Sequence, residues 1–297
     1  VEIPHFGDWT PILSCGFDLQ YSPLLELRSG EGALIYCGLD VEDHYRKDPV
    51  ARLMASRVLD FSVASSEEKR AQRGMAAFLG SSNEALFLDV LGVRYSRTTQ
   101  IPAKPGLLIL GSDADVSESG LKAFITGGGR VLVLPIEGTK GPLGARLEKK
   151  ENFSQLGLAW GVKDEWKGLS FADLHDRTGH SAWTFQVGGP EDRLEPNPSS
   201  ETLATRQIGK GTITYVQLEP ERLDTGNKTY LRFTRWHQTR VFSQVLTNLG
   251  ASFRADARIF HPRSSSKLDL SGSWKGRGQC SRSWAWPFKR LVLSQSR

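Results

Sequence analysis

The sequence predicts an α/β protein with a flavodoxin-like, mostly parallel sheet and helices on both faces. Three observations predict it. First, residues 105–135 hold two apolar runs, LLIL and VLVL, each bounded by Gly or Pro and too short for a helix. Second, Val116, Leu121, Phe124 and Ile125 fall between them near helical spacing, which makes the segment a strand–helix–strand crossover. Third, RSGEGALIYCGLD at 28–40 and QIGKGTITYVQLE at 207–219 align without a gap. The alignment matches Gly30 with Gly209, Gly32 with Gly211, Tyr36 with Tyr215 and Leu39 with Leu218. Strands that are apolar on both faces need cover on both sides, and two helix layers provide it.

The elements follow in order. Each copy of the repeat is a Gly-x-Gly turn feeding an apolar strand that ends in an acid, Asp40 or Glu219. A helical segment follows each, at 50–61 and 234–249. The offset of 179 residues (209 − 30) is the size of an ordinary domain. Residues 71–251 hold a complete unit and residues 1–61 only the C-terminal end of one, so the chain is expected to begin inside a domain of a protein that extends upstream. In the complete unit, 75–79 reads as a strand, 83–91 as a helix stopped by Gly92, and 93–98 as a strand. In the crossover that follows, Ser117 caps the helix and the glycines at 127–129 stop it. Residues 136–200 read as an insertion of loops and short strands, 213–218 as a strand, and the closing helix carries Val241, Val245, Leu246 and Leu249 before Gly250. The expected division is therefore 1–61, the end of a first domain; 62–251, a complete second domain; 252–276, a linker and the start of a β-domain around Leu268, Leu270 and Trp274; and 277–297, an aberrant or disordered basic tail.

Composition excludes several function classes. With 297 residues, 39% hydrophobic and 24% charged, the chain has the make-up of a soluble protein with a sizeable core. It has no apolar run of the roughly 18 residues a membrane helix needs, and its first residues lack a basic head followed by an apolar stretch. The net charge of +5 is concentrated at the end: residues 271–297 carry Lys275, Arg277, Arg282, Lys289, Arg290 and Arg297 and no acid, so the other 270 sum to −1. A near-neutral body argues against a nucleic-acid partner. Cys15, Cys37 and Cys280 are widely spaced, which indicates neither a zinc site nor a disulfide framework and leaves the compartment open: bacterial cytoplasm, periplasm or outside. The glycines at 127–129 precede a strand rather than a helix, so they do not cradle a phosphate, and no cofactor is expected.

The pattern LLILG…LKAFITGGGRVLVLP, followed by GKGTITYVQLEP and VFSQVLTNLGA, resembles a class I glutamine amidotransferase-like domain. More narrowly, it is similar to the versions embedded in large bacterial glycoside hydrolases, including the trimerisation domain of beta-galactosidases. The segment KLDLSGSWKG resembles the opening strand of the sugar-binding jelly roll of family 2 glycoside hydrolases. Together they imply a piece of a multidomain carbohydrate-active enzyme whose catalytic barrel lies outside these residues. The implied partners are the other domains of the same parent chain, further copies in a homo-oligomer, and carbohydrate.

A working amidotransferase needs a Cys nucleophile on a sharp strand-to-helix turn, with an imidazole and a carboxylate beside it. The turn at 134–138 reads LPIEG and has no Cys. Cys37 lies inside a strand and is matched by Val216 in the other copy, so it reads as a structural core thiol. His175 and His180, with Asp173 and Asp176, lack a common helix face and a third ligand, so they read as loop polar residues rather than a metal site. Asp40 and Glu219 belong to different copies and read as salt-bridge or capping groups rather than a glycosidase acid pair. No catalytic, cofactor-binding or metal residue is assigned. Trp160, Trp166 and Trp183 are candidate glycan contacts, with a local core as the competing reading. The favoured function is a non-catalytic structural or assembly module of a beta-galactosidase-like glycoside hydrolase. The alternative is a glycan-binding module using the Trp-bearing insertion, and an active α/β hydrolase or amidotransferase ranks last.

Overall fold

The computed structural model describes residues 1–17, 19–29, 32–67, 73–155, 164–176, 178–186, 195–196 and 201–254. The chain opens with β1 (Trp9–Cys15), β2 (Tyr21–Ser29) and β3 (Gly32–Cys37), an antiparallel sheet in the order β1-β2-β3. Helix α1 (Pro49–Glu67) packs against β3. The apolar strand of the first repeat copy is thus the second strand of a hairpin, closed by the Ser29–Gly32 pair. Cys37 ends the edge strand β3 and is exposed, which corrects its reading as a core thiol.

Next come β4 (Ala76–Leu79), α2 (Ser82–Leu91), β5 (Tyr95–Arg97), β6 (Leu107–Leu110), α3 (Glu118–Thr126) and β7 (Arg130–Val133). The insertion contributes β8 (Leu147–Lys150), the short α4 (Phe171–Leu174) and β9 (Ala182–Phe185), with β8 and β9 paired antiparallel. Then follow β10 (Glu195–Pro196), β11 (Leu203–Ile208), β12 (Gly211–Val216) and α5 (Leu231–Asn248). The large sheet runs β10-β11-β12-β7-β6-β4-β5. From β12 to β5 every pairing is parallel, while β10, β11 and β12 meander antiparallel. The α/β class with a mostly parallel core is what the sequence predicts. Strand β11 is the addition: the second Gly-x-Gly turns a hairpin, closed by the Ile208–Gly211 pair.

The expected Gly92 stop is present: that residue ends α2 in the left-handed region at φ 77°, and the structure adds a reciprocal capping box of Ser81 and Glu84 at the start of the helix. The Ser117 hydroxyl accepts the Gly120 amide at 3.2 Å and caps α3. Alternation along the strands then builds two cores. Ile109, Leu132 and Val216 face Leu88, Leu91, Val241, Phe242 and Val245 of α2 and α5. Leu108, Val131, Ile213 and Tyr215 face Leu121, Phe124 and Ile125 of α3.

Helix α5 is buried without a break from His237 to Thr247, polar residues included. Its outer side is covered by the N-terminal segment and the insertion. Ser243 donates to the His5 carbonyl at 2.9 Å, and Asn248 donates to the carbonyls of Glu165 and Lys167 at 3.0 and 2.8 Å. Arg240 donates through Nε to Asp173 at 2.7 Å and pairs with its second oxygen through the guanidinium fork.

Candidate functional site

In open α/β sheets the carboxyl ends of the parallel strands are where ligands bind. Here those ends border a cleft of about 360 Å³ lined by Glu84, Ser112, Leu134, Pro135, Glu137, Glu219, Glu221 and Arg222. Each wall has a local cause. Glu84 leaves the first turn of α2 and reaches across two strand ends. Its carboxylate accepts the Ser81 amide and hydroxyl, each at 2.8 Å, and the Ser112 amide at 2.6 Å. Gly80 and Gly111 make this possible, because a Cβ on either would lie 2.7 or 2.2 Å from the Glu84 oxygen.

The turn after β7 is held differently. The Gln217 side chain accepts the Ile136 amide at 2.7 Å and donates to the Ile136 carbonyl at 3.3 Å. That clamp fixes the backbone of the turn, where Ile136 is buried. Beyond it, Arg222 pairs with Glu137 and, at 3.1 Å, with Glu219. Burial raises the carboxyls of both Glu219 and Glu221 above their usual range, with Arg235 opposing the rise at Glu221. Among the described residues the lining contains neither Cys nor His. Among the described residues that line the cleft, no thiol–imidazole pair is present that would serve acyl transfer.

The other candidates named from the sequence fall elsewhere in the molecule. Glu219 is in the cleft, whereas Asp40 is exposed and meets His44 at 3.3 Å, so the two acids do not form a pair. Cys15 and Cys37 sit on the N-terminal sheet, not at the rim, and Cys280 lies outside the described residues. Asp173 and Asp176 are buried and structural. Burial pushes the Asp173 carboxyl up, but Arg240 and His237 outweigh it and hold it well below the usual carboxylate range. Asp176 accepts the Gln238 amide at 2.9 Å. His175 caps the end of α4, His180 lies 3.9 Å from Asp176, and no cluster of three metal-ligating groups forms among the described residues.

Of the three tryptophans, Trp166 is 2% exposed inside the α2–α5 core and has no ring face for a sugar. Trp183 is half-buried on β9 against the other core, and Trp160 lies outside the described residues. Sequence reasoning missed Glu84, Glu221 and Arg222. The capping-box spacing of Ser81 and Glu84 was the one signal that could have found Glu84.

No helix among the described residues is long and apolar enough to cross a membrane. No protein-family model matches the chain, and no curated protein matches it. Among solved structures it is similar to the cold-adapted beta-galactosidase of Rahnella sp. R3, at 14% identity and a TM-score of 0.37, over 68% of this chain and 35% of that one. It is also similar to the GH42 beta-galactosidase Gan42B of G. stearothermophilus, at 12% identity and 0.33, over 71% and 35%. The exo-beta-1,4-mannosidase Op5Man5 of Opitutaceae bacterium strain TAV5 matches at 11% identity and 0.35, over 67% and 39%. The chain spans little more than a third of these enzymes.

Proposed function

We propose that residues 62–251 are a flavodoxin-like, amidotransferase-like domain acting as a non-catalytic structural or assembly module of a multidomain, beta-galactosidase-like glycoside hydrolase. In this reading residues 1–61 are the closing part of another such domain and residues 252–276 lead into a sugar-binding β-domain. The observation that carries it is the turn after β7. Its backbone is clamped by Gln217, it presents Ile136, and its rim carboxylate Glu137 is tied to Arg222. A framework that keeps the strand-end crevice while filling the nucleophile position with a buried aliphatic residue supports positioning rather than turnover.

The test is an activity assay of the whole chain against glutamine and against aryl galactosides. The expected result is no turnover of either. Glutaminase activity that disappears in Cys37→Ala would overturn the reading, and so would galactoside hydrolysis abolished by Glu219→Gln.

A further inference from the structure

We propose that the outer face and edge of β3 form a docking surface for a helix–strand element of another α/β unit, joined to β3 as a parallel strand. The two hairpins carry this, independently of the glycoside hydrolase reading.

In the second hairpin, β7 pairs with β12 in the register Thr212–Arg130, Ile213–Val131, Thr214–Leu132 and Tyr215–Val133. Helix α3 covers the face that carries Ile213 and Tyr215, which are 0% and 1% exposed. Their counterparts in the repeat are Leu34 and Tyr36, which are 51% and 37% exposed. On β3 the exposed side chains thus point to the face that α3 closes on β12, while their register partners on β2, Leu27 and Leu25, are already buried. The edge is open as well. Hairpin pairing alternates between bonded and non-bonded residues, and the Thr212 amide turns outward to the Gly129 carbonyl at 3.2 Å. The same alternation turns the amides of Ala33, Ile35 and Cys37 away from β2. No described strand lies on that side.

The edge also lacks the usual protection. Exposed edges are normally blunted by proline, charge, bulges or shortness. On the opposite side of the same sheet, β1 carries Pro11 and two register irregularities. The large sheet ends in three-residue β5, which bears Arg97, and in two-residue β10, which bears Pro196. By contrast β3 reads GALIYC, with no proline, no charge and unbroken register. Gly32 fits the same account. A Cβ on its counterpart Gly211 would lie 2.0 Å from the Gly129 carbonyl and 2.4 Å from that of Ile125, so close packing of α3–β7 requires glycine there. Strand addition of this kind draws affinity from main-chain hydrogen bonds and specificity from alternate side chains.

The test uses the full chain and a synthetic peptide with the sequence of residues 118–135, read by amide hydrogen exchange. Without peptide, a monomer is expected whose Ala33, Ile35 and Cys37 amides exchange at least about 100-fold faster than those of Thr212, Thr214 and Val216. Millimolar peptide should slow the β3 amides by about tenfold or more. The double variant Leu34→Lys, Tyr36→Lys should abolish that slowing and leave the β12 amides protected, which shows that the fold is intact. Three results overturn the proposal: β3 amides already protected in the monomer, protection that appears only with self-association at high concentration, or no slowing at millimolar peptide.

Discussion

The chain contains the same construction twice, and the two hairpins differ in what surrounds them. The pair β11–β12 is sealed between α3 and α5 and joined to four parallel strands, whereas β3 has α1 packed against it and still leaves Leu34 and Tyr36 51% and 37% exposed. Their local sequences share a Gly-x-Gly, Leu34 and Tyr36 matched by Ile213 and Tyr215, and an acid at the end. Burial is therefore a property of the neighbours and not of the strand. The helices behave alike in this respect, since α5 buries even Arg240 and Gln244 while α1 leaves Val50, Leu53, Leu59 and Val63 exposed.

The contrast between covered and open elements is tested hardest at α5. Removing one member of its buried ion pair, by Asp173→Asn or Arg240→Met, should cost about 3–5 kcal/mol in urea unfolding, because the other charge stays buried and unpaired. Next in size, Ile213→Ala should cost about 2–4 kcal/mol, whereas Leu34→Ala at the matching position should stay within about 0.5 kcal/mol. If both cost the same, β3 is covered in solution. Gly211→Ala should cost about 1–3 kcal/mol by forcing β12 off β7, while Gly32→Ala changes little until a partner is bound.

The pH dependence follows from Asp173. Its folded carboxyl titrates below the ordinary value of 3.8, so its contribution is fully present above that value and is lost as pH falls through the folded one. Unfolding midpoints should therefore drop as pH falls below about 4, and Asp173→Asn should flatten that drop. A small effect is also expected at the exposed Arg222–Glu137 pair: Arg222→Ala should change stability by about 1 kcal/mol or less, measured in the same way.

What the sequence made legible was whatever depends on near neighbours. The β6–α3–β7 crossover, the Ser117 cap and the Gly92 stop are written within a few residues of where they act. Strands β2 and β11 escaped because their patterns are unclear: Glu26 and Thr205 are buried in them, and only pairing across the hairpin explains why. For Trp166 the chain left glycan contact and local core both open, and the core reading is decided by a partner 83 residues from Glu165: Asn248 donates to the Glu165 carbonyl and holds the turn against α5. The rim of the cleft was half visible. Glu219 and the turn at 134–138 stood out in the chain, but the reach of Glu84 to Ser112 depends on β4 and β6 lying side by side.

That reach also governs what the crevice between β4 and β6 can take up. The Ser81 and Ser112 amides are the donors a bound phosphate or carboxylate would use, and the protein occupies them with an anion of its own, tethered one helical turn away. A dissolved anion would have to displace a competitor whose effective concentration is at least about millimolar and which never diffuses off. The fold thus carries a resident plug in this crevice, and Glu84→Ala is the change that would vacate it.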